Sequence, residues 1–143
     1  MRIKFGVVLA LVSSLAVLAT PVQAPAQSLV YQARQYIGTN PTGWSRVWCG
    51  RFMDMILRQS GYRGGGNYSL AYARYGTRVH GPVAGAIAVM GRRGGGHVGV
   101  VSGVDSSGNP IIISGNTWGR GSKRSRVMEA PYPRSRIFAY VLP

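Results

Sequence analysis

Cys49 is the only thiol in the chain, and His80 and His97 are the only imidazoles. A thiol attacks a carbonyl carbon as thiolate, and a free cysteine holds its proton up to about pH 8.5. Lowering that to about 6.5 takes about 2.7 kcal/mol. A helix N-terminus supplies about 0.3–1 kcal/mol, and up to about 2 when partly buried. The remainder calls for a neighbouring imidazolium. A lone cysteine is otherwise buried and inert, or joined to another chain. A catalytic Cys49 therefore needs a helix start beneath it and a histidine in reach.

The flanking residues offer the helix. Cys49, Phe52, Met53, Ile56 and Leu57 recur on one face of a 3.6-residue period, and Gly61 is a natural stop. This places Cys49 in the first turn of a helix that inserts into the core. His97 opens an apolar strand, residues 97–104, directly after Gly94, Gly95 and Gly96. Small residues there leave an imidazole open and admit a second backbone. A β-sheet histidine satisfied by a carbonyl is the plain alternative. His80 sits in Val-His-Gly-Pro, a loop before a turn, and reads as a surface or structural residue.

A hairpin turning within residues 105–109 sets His97 opposite a residue near 116–118, a window that holds Asn116. An Asn beside the base fixes its tautomer without adding charge. Asn116 reads equally as a turn residue in a Gly-Asn pair. One cysteine and two distant histidines make no zinc site. No metal or other cofactor is expected.

The elements that must position these groups follow from local pattern. Residues 28–37 carry apolar residues at helical spacing, capped by Ser28 and ended by Gly38. Residues 39–47 read as a loop, 63–67 as a glycine-rich loop, and 69–75 as a short third helix. Strands are expected at 86–90, 97–104, 110–115, 127–128 and 136–142. Helices first and strands second is the α+β pattern, N-terminal helices packed on a C-terminal antiparallel sheet.

Two segments carry a family resemblance. Trp48-Cys49-Gly50-Arg51-Phe52 resembles the nucleophile helix of the CHAP family, the cysteine- and histidine-dependent amidohydrolases and peptidases, and of the related NlpC-type cell-wall endopeptidases. Gly94-Gly95-Gly96-His97-Val98-Gly99-Val100-Val101 is similar to their histidine strand, and Ser114-Gly115-Asn116 to the third triad position. Pro82-Val83-Ala84-Gly85-Ala86-Ile87 is similar to their P-x-x-G-D-I strand, with Ala86 where an Asp is usual. The resemblance implies a papain-like core and cleavage of peptide or amide bonds, usually in peptidoglycan, through a thioester. It implies Cys49, His97 and Asn116 as catalytic residues and the Cys49 N–H as an oxyanion donor. Tyr36 is a candidate second donor. Trp44, Trp48 and Trp118 flank the proposed groups and line a groove or pack the core.

The N-terminus reads as a secretory signal. Arg2 and Lys4 precede an apolar run, and Ala24-Pro25-Ala26 supplies a small-x-small site. Cleavage after Ala26 leaves residues 27–143 as one catalytic domain, exported to the periplasm or beyond, with no transmembrane span remaining. The chain carries 17 Lys plus Arg against three acids. Such a surface attracts polyanions. An export signal turns the expectation from nucleic acid to envelope polymers and peptidoglycan stem peptides, and no nucleic-acid motif is present. The segment at residues 120–126 is a basic loop that binds anions or is simply solvated. A monomer is expected. Beside the hydrolase stand two other readings: a wall- or anion-binding module of the same fold with a spent site, and an acyltransferase or toxin using the same thioester chemistry.

Overall fold

The computed structural model describes residues 25–143, and their side chains from residue 28. The expected leader, residues 1–26, lies outside this range except for Pro25 and Ala26, which open the first helix. Helix α1 spans Pro25–Arg34 and α2 spans Cys49–Gln59. A 3₁₀ helix follows at Ser69–Arg74. The strands are β1 (Thr77–Val79), β2 (Ile87–Arg92), β3 (Gly95–Val104), β4 (Pro110–Thr117), β5 (Arg126–Pro131) and β6 (Ile137–Leu142). They form one antiparallel sheet in the order β1-β6-β2-β3-β4-β5. The α+β architecture is the one expected. No helix among the described residues is long and apolar enough to cross a membrane.

Strand alternation sorts the core into two layers. Ile87, Val89, Val98, Val100, Ile113, Ala139 and Val141 pack with the helices, including Leu29, Phe52, Met53, Ile56 and Leu57. Ala86, Ala88, Met90, Val101, Ile112 and Tyr140 form a second cluster on the other face, covered by Val79, Tyr132, Ile137 and Leu142. Helix α2 is the principal anchor of the first layer. Each of its large apolar side chains stabilises the fold by about 1.5–3 kcal/mol on full burial. Gly115 of β4 lets it come close: a Cβ there meets the Trp48 ring and Phe52.

Three details differ from the sequence-based expectation. Helix α1 ends at Arg34, not near Ile37, because the amides of Gln35, Tyr36 and Ile37 bond to carbonyls three residues back. Gly38 then turns with φ +87° and donates its N–H to the Val127 carbonyl. The glycine stretch is mostly strand, since Arg92 pairs with Gly95 and Gly91 with Gly96, leaving Arg93-Gly94 as the turn. Strand β1 pairs only with β6, at the sheet edge.

Candidate active site

Cys49 is the first residue of α2. Trp48 precedes it without a side-chain cap, and the first intrahelical bond runs from the Phe52 N–H to the Trp48 carbonyl at 2.9 Å. The amides of the opening turn are therefore available at the thiol's end of the helix. Val47 enters this turn with φ +51°, a left-handed conformation that a β-branched residue rarely adopts. The loop before the 3₁₀ helix closes over the same turn. Tyr72 donates its hydroxyl to the carbonyls of Gly66 (2.7 Å) and Gly50 (3.2 Å). A Cβ at Gly50 would collide with the Asn67 carbonyl, so only glycine fits beneath that loop.

The Cys49 side chain is almost wholly buried, yet it lines a cavity of about 330 Å³ with Val47, Arg92, Gly96, Asn116 and Trp118 among its walls. Its Sγ lies 3.0 Å from Ser69 Oγ and 3.9 Å from the Gly96 carbonyl. A second cavity, of about 590 Å³, adjoins the first along Val47 and Gly94–Gly96 and is lined also by Trp44, Tyr68, Ser69 and Leu70. Arg51 stacks on the Trp44 ring at 3.7 Å.

His97 is next to Gly96, so the thiol reaches the backbone beside it. Alternation along β3 puts Val98 and Val100 on the helix side, while the His97 ring has its hydrogen-bond partners on β2 and β4, one of them the Arg92 that also lines the Cys49 cavity. The ring packs against Tyr132 at 6.1 Å. Nε2 is 3.0 Å from Ser114 Oγ, and Nδ1 is 3.2 Å from Arg92 Nη1. A guanidinium only donates, so Nδ1 carries the lone pair and Nε2 carries the proton that it donates to Ser114. Arg92 Nη1 also donates to the Asn116 carbonyl at 3.1 Å. Burial, reinforced by the charges of Arg92 and Arg136, pushes the His97 pKa down to about 3. Among the described residues no hydrogen bond joins the thiol to the imidazole.

Other expected site residues fall as follows. Asn116 lies within a register irregularity between Ser114 and Thr117, with φ +57°, and offers Arg92 its carbonyl. The side chain bonded to the His97 ring is that of Ser114, two residues earlier on the same strand. Ser114 is itself linked to Thr117 Oγ1 at 3.1 Å. Tyr36 corrects the oxyanion expectation: its hydroxyl exchanges hydrogen bonds with Gln59, at the last residue of α2, and its ring meets Phe52 edge-on. Ten residues of helix separate Gln59 from Cys49, about 15 Å. Trp48 corrects the groove expectation, being fully buried with its indole N–H donated to Ser125 Oγ at 2.9 Å. Trp118 is half exposed and does line the cavity. His80 is exposed just beyond β1, and three strand positions separate β1 from β3.

Sequence reasoning did not place Ser69 beside Cys49 or Arg92 on the His97 ring; Arg92, with Arg93, stood out only as a cation flanking the histidine strand and available to wall anions. Ser69 had no local signal, because its approach to the thiol depends on how the loop at residues 63–67 folds back. Arg92 had one: it is a cation five residues before His97 across a tight glycine turn, hence nearly opposite it. Among the described residues no three His, Cys, Asp or Glu side chains cluster as a metal site. The three acids are engaged elsewhere. Asp54 pairs with Arg58 at 3.0 Å, Glu129 with Arg34 at 2.8 Å, and Asp105 accepts the N–H groups of Ser107 and Asn109 in its own turn.

The CHAP domain family matches residues 41–116, more than half of the chain, and the match takes in Cys49, Ser69, Arg92, His97, Ser114 and Asn116. The chain belongs to the CHAP domain family. CHAP domains are typically hydrolases, amidases or peptidases directed at peptidoglycan. In this CHAP domain, the helix that carries the cysteine and the strand that carries the histidine meet at the Gly96 carbonyl. No curated protein and no solved structure matches the chain.

Proposed function

We propose that this CHAP domain is an exported cysteine hydrolase that cleaves peptide or amide bonds of peptidoglycan through a thioester. The observation that carries the reading is the position of Cys49, at the first residue of α2 on the wall of a cavity and 3.9 Å from the carbonyl preceding His97. In this reading the His97 Nδ1 lone pair takes the thiol proton, and the thiolate adds to the substrate carbonyl. The Cys49 N–H and the Ser69 hydroxyl stabilise the oxyanion. Collapse expels the amine, protonated by His97. Water then adds to the thioester with His97 as base, freeing the acid and regenerating the thiol. Ser114 holds the ring tautomer that leaves Nδ1 unprotonated. The excess of cations attracts the anionic wall.

One observation favours a second reading, a wall-binding module that does not hydrolyse: Sγ is engaged by Ser69 while the Nδ1 lone pair is engaged by Arg92. Digestion of purified peptidoglycan by the protein and by Cys49→Ala separates the two. The hydrolase reading expects soluble fragments from the wild type, with new amine and carboxyl ends identified by mass spectrometry. It expects a loss of at least about 10³-fold in Cys49→Ala, the scale seen when a catalytic nucleophile is removed. Equal fragment release from both, or none from either while both sediment with the wall, overturns it.

A further inference from the structure

Arg92 occupies a chemically particular place. It lines the cavity that Cys49 lines, and one of its nitrogens donates both to His97 Nδ1 and to the Asn116 carbonyl. With Nε2 protonated toward Ser114, Nδ1 is the only basic site on the ring, so the guanidinium covers the one lone pair able to accept a proton. Arg92 has no acid partner among the described residues, the three carboxylates being engaged at Arg34, Arg58 and the 105–109 turn. A guanidinium whose partners are a neutral ring and a carbonyl exchanges them readily for a carboxylate, its strongest bidentate partner.

We propose that Arg92 is a carboxylate-responsive gate on His97: a free carboxylate on the substrate, entering the cavity beside Cys49, draws the guanidinium off Nδ1 and opens that lone pair to the thiol proton. This inference rests on the nucleophile-and-base reading of the site and adds a substrate class to it, peptides with a carboxylate next to the scissile bond. The proton balance is simple. The Cys49 S–H proton moves to Nδ1, giving thiolate and imidazolium, and the Arg92 charge is neutralised by the incoming carboxylate. The groups facing His97 are consistent with a single displaceable cation: Arg92 from β2, Ser114 and Thr117 from β4, Tyr132 after β5, and Arg136 more distantly. No acid bonds the ring. Without the gate's departure, an imidazolium would form beside two arginines.

Alkylation of Cys49 tests this without relying on hydrolysis. Iodoacetamide is neutral and iodoacetate carries the carboxylate, and both are displaced at iodide by the same thiolate. In the wild type, the iodoacetate rate relative to iodoacetamide should exceed that ratio for a free thiol. In Arg92→Met, which removes the donor but keeps the stem, the ratio should fall to the free-thiol value. The iodoacetamide rate near pH 6 should then rise about tenfold, the change that one unit of pKa produces. Arg78→Met, which removes a cation on edge strand β1 that donates to the Phe138 carbonyl, should leave the iodoacetamide rate unchanged. Arg92→Lys, which keeps the charge, should lie between, and it serves as the reading if the Met variant does not fold. Unchanged rates and ratio in Arg92→Met, or an equal rise in Arg78→Met, overturn the gate. Failure of the underlying reading looks different: His97→Gln would then alkylate with the wild-type pH profile. A His97-dependent profile that ignores Arg92 leaves the hydrolase and removes the gate.

Discussion

Cys49 and His97 flank the Gly96 carbonyl and meet different surroundings there. On the thiol side the contacts are apolar packing, one hydroxyl and one carbonyl, and the anchoring is done by the buried face of α2. On the imidazole side the contacts are polar and directional: Ser114 at one nitrogen, Arg92 at the other, Tyr132 against the ring. The thiol is positioned by hydrophobic burial and the imidazole by hydrogen bonds. Disturbing one side should therefore change stability most, and disturbing the other should change protonation most.

The largest effect is expected on the thiol side. Phe52 is fully buried between Trp48 and Tyr36. Phe52→Ala should lower the unfolding free energy by about 3–5 kcal/mol in a urea titration. A loss below about 1 kcal/mol would mean that α2 is not the anchor.

The next effect belongs to His97. Its folded pKa lies near 3 and its unfolded value near 6.5, so the unfolded chain binds the extra proton between them. Stability from this source is full above about pH 6.5 and declines as pH falls toward 3. His97→Gln should flatten the fall in urea midpoint between about pH 6.5 and 4.5, by an amount on the order of a few kcal/mol over the full range. An unchanged slope would show that the imidazole titrates as it does in water.

Ser114→Ala is a smaller disturbance on the same side. It removes the acceptor of the Nε2 proton from a buried ring and should cost about 1–3 kcal/mol. Wall hydrolysis should fall with it, while the apolar face of α2 is untouched. A loss of stability without a loss of hydrolysis would separate Ser114 from the base.

Val47→Gly gives the smallest change and the opposite sign. Relief of the left-handed backbone is worth about 1–2 kcal/mol, against about 0.5–1 kcal/mol of added unfolded-chain freedom. A rise in Tm of a degree or two is expected. A fall would show that the Val47 side chain contributes contacts outweighing its strain.

Cys49 at the helix start was legible because the apolar spacing of Phe52, Met53, Ile56 and Leu57 keeps one face through nearly two turns. The 105–109 turn was legible from its own chemistry, since Asp105 bonds amides two and four residues on and Gly108 takes φ +80°. The direction of His97 was not. Which way a strand residue points depends on which face the helices cover, and the run Val98-Gly99-Val100-Val101 is buried on both. The hairpin estimate holds in register, since Val100 pairs with Ile113 and the same spacing sets His97 against position 116. The irregularity between Ser114 and Thr117, with Asn116 at φ +57°, was not legible, and it is Ser114 whose side chain meets the ring. The end of α1 escaped for a related reason: Gly38 and Ile37 are captured by Val127, ninety residues away in sequence.

All three acidic side chains of this chain are committed to partners that do not line the cavity, so the cations around it are balanced by mobile ions from the medium. When a fixed anion takes their place, those small ions return to bulk, and the gain in their translational freedom grows as the medium becomes more dilute. Occupancy of the cavity by an anion is thereby tied to the ionic strength outside the molecule.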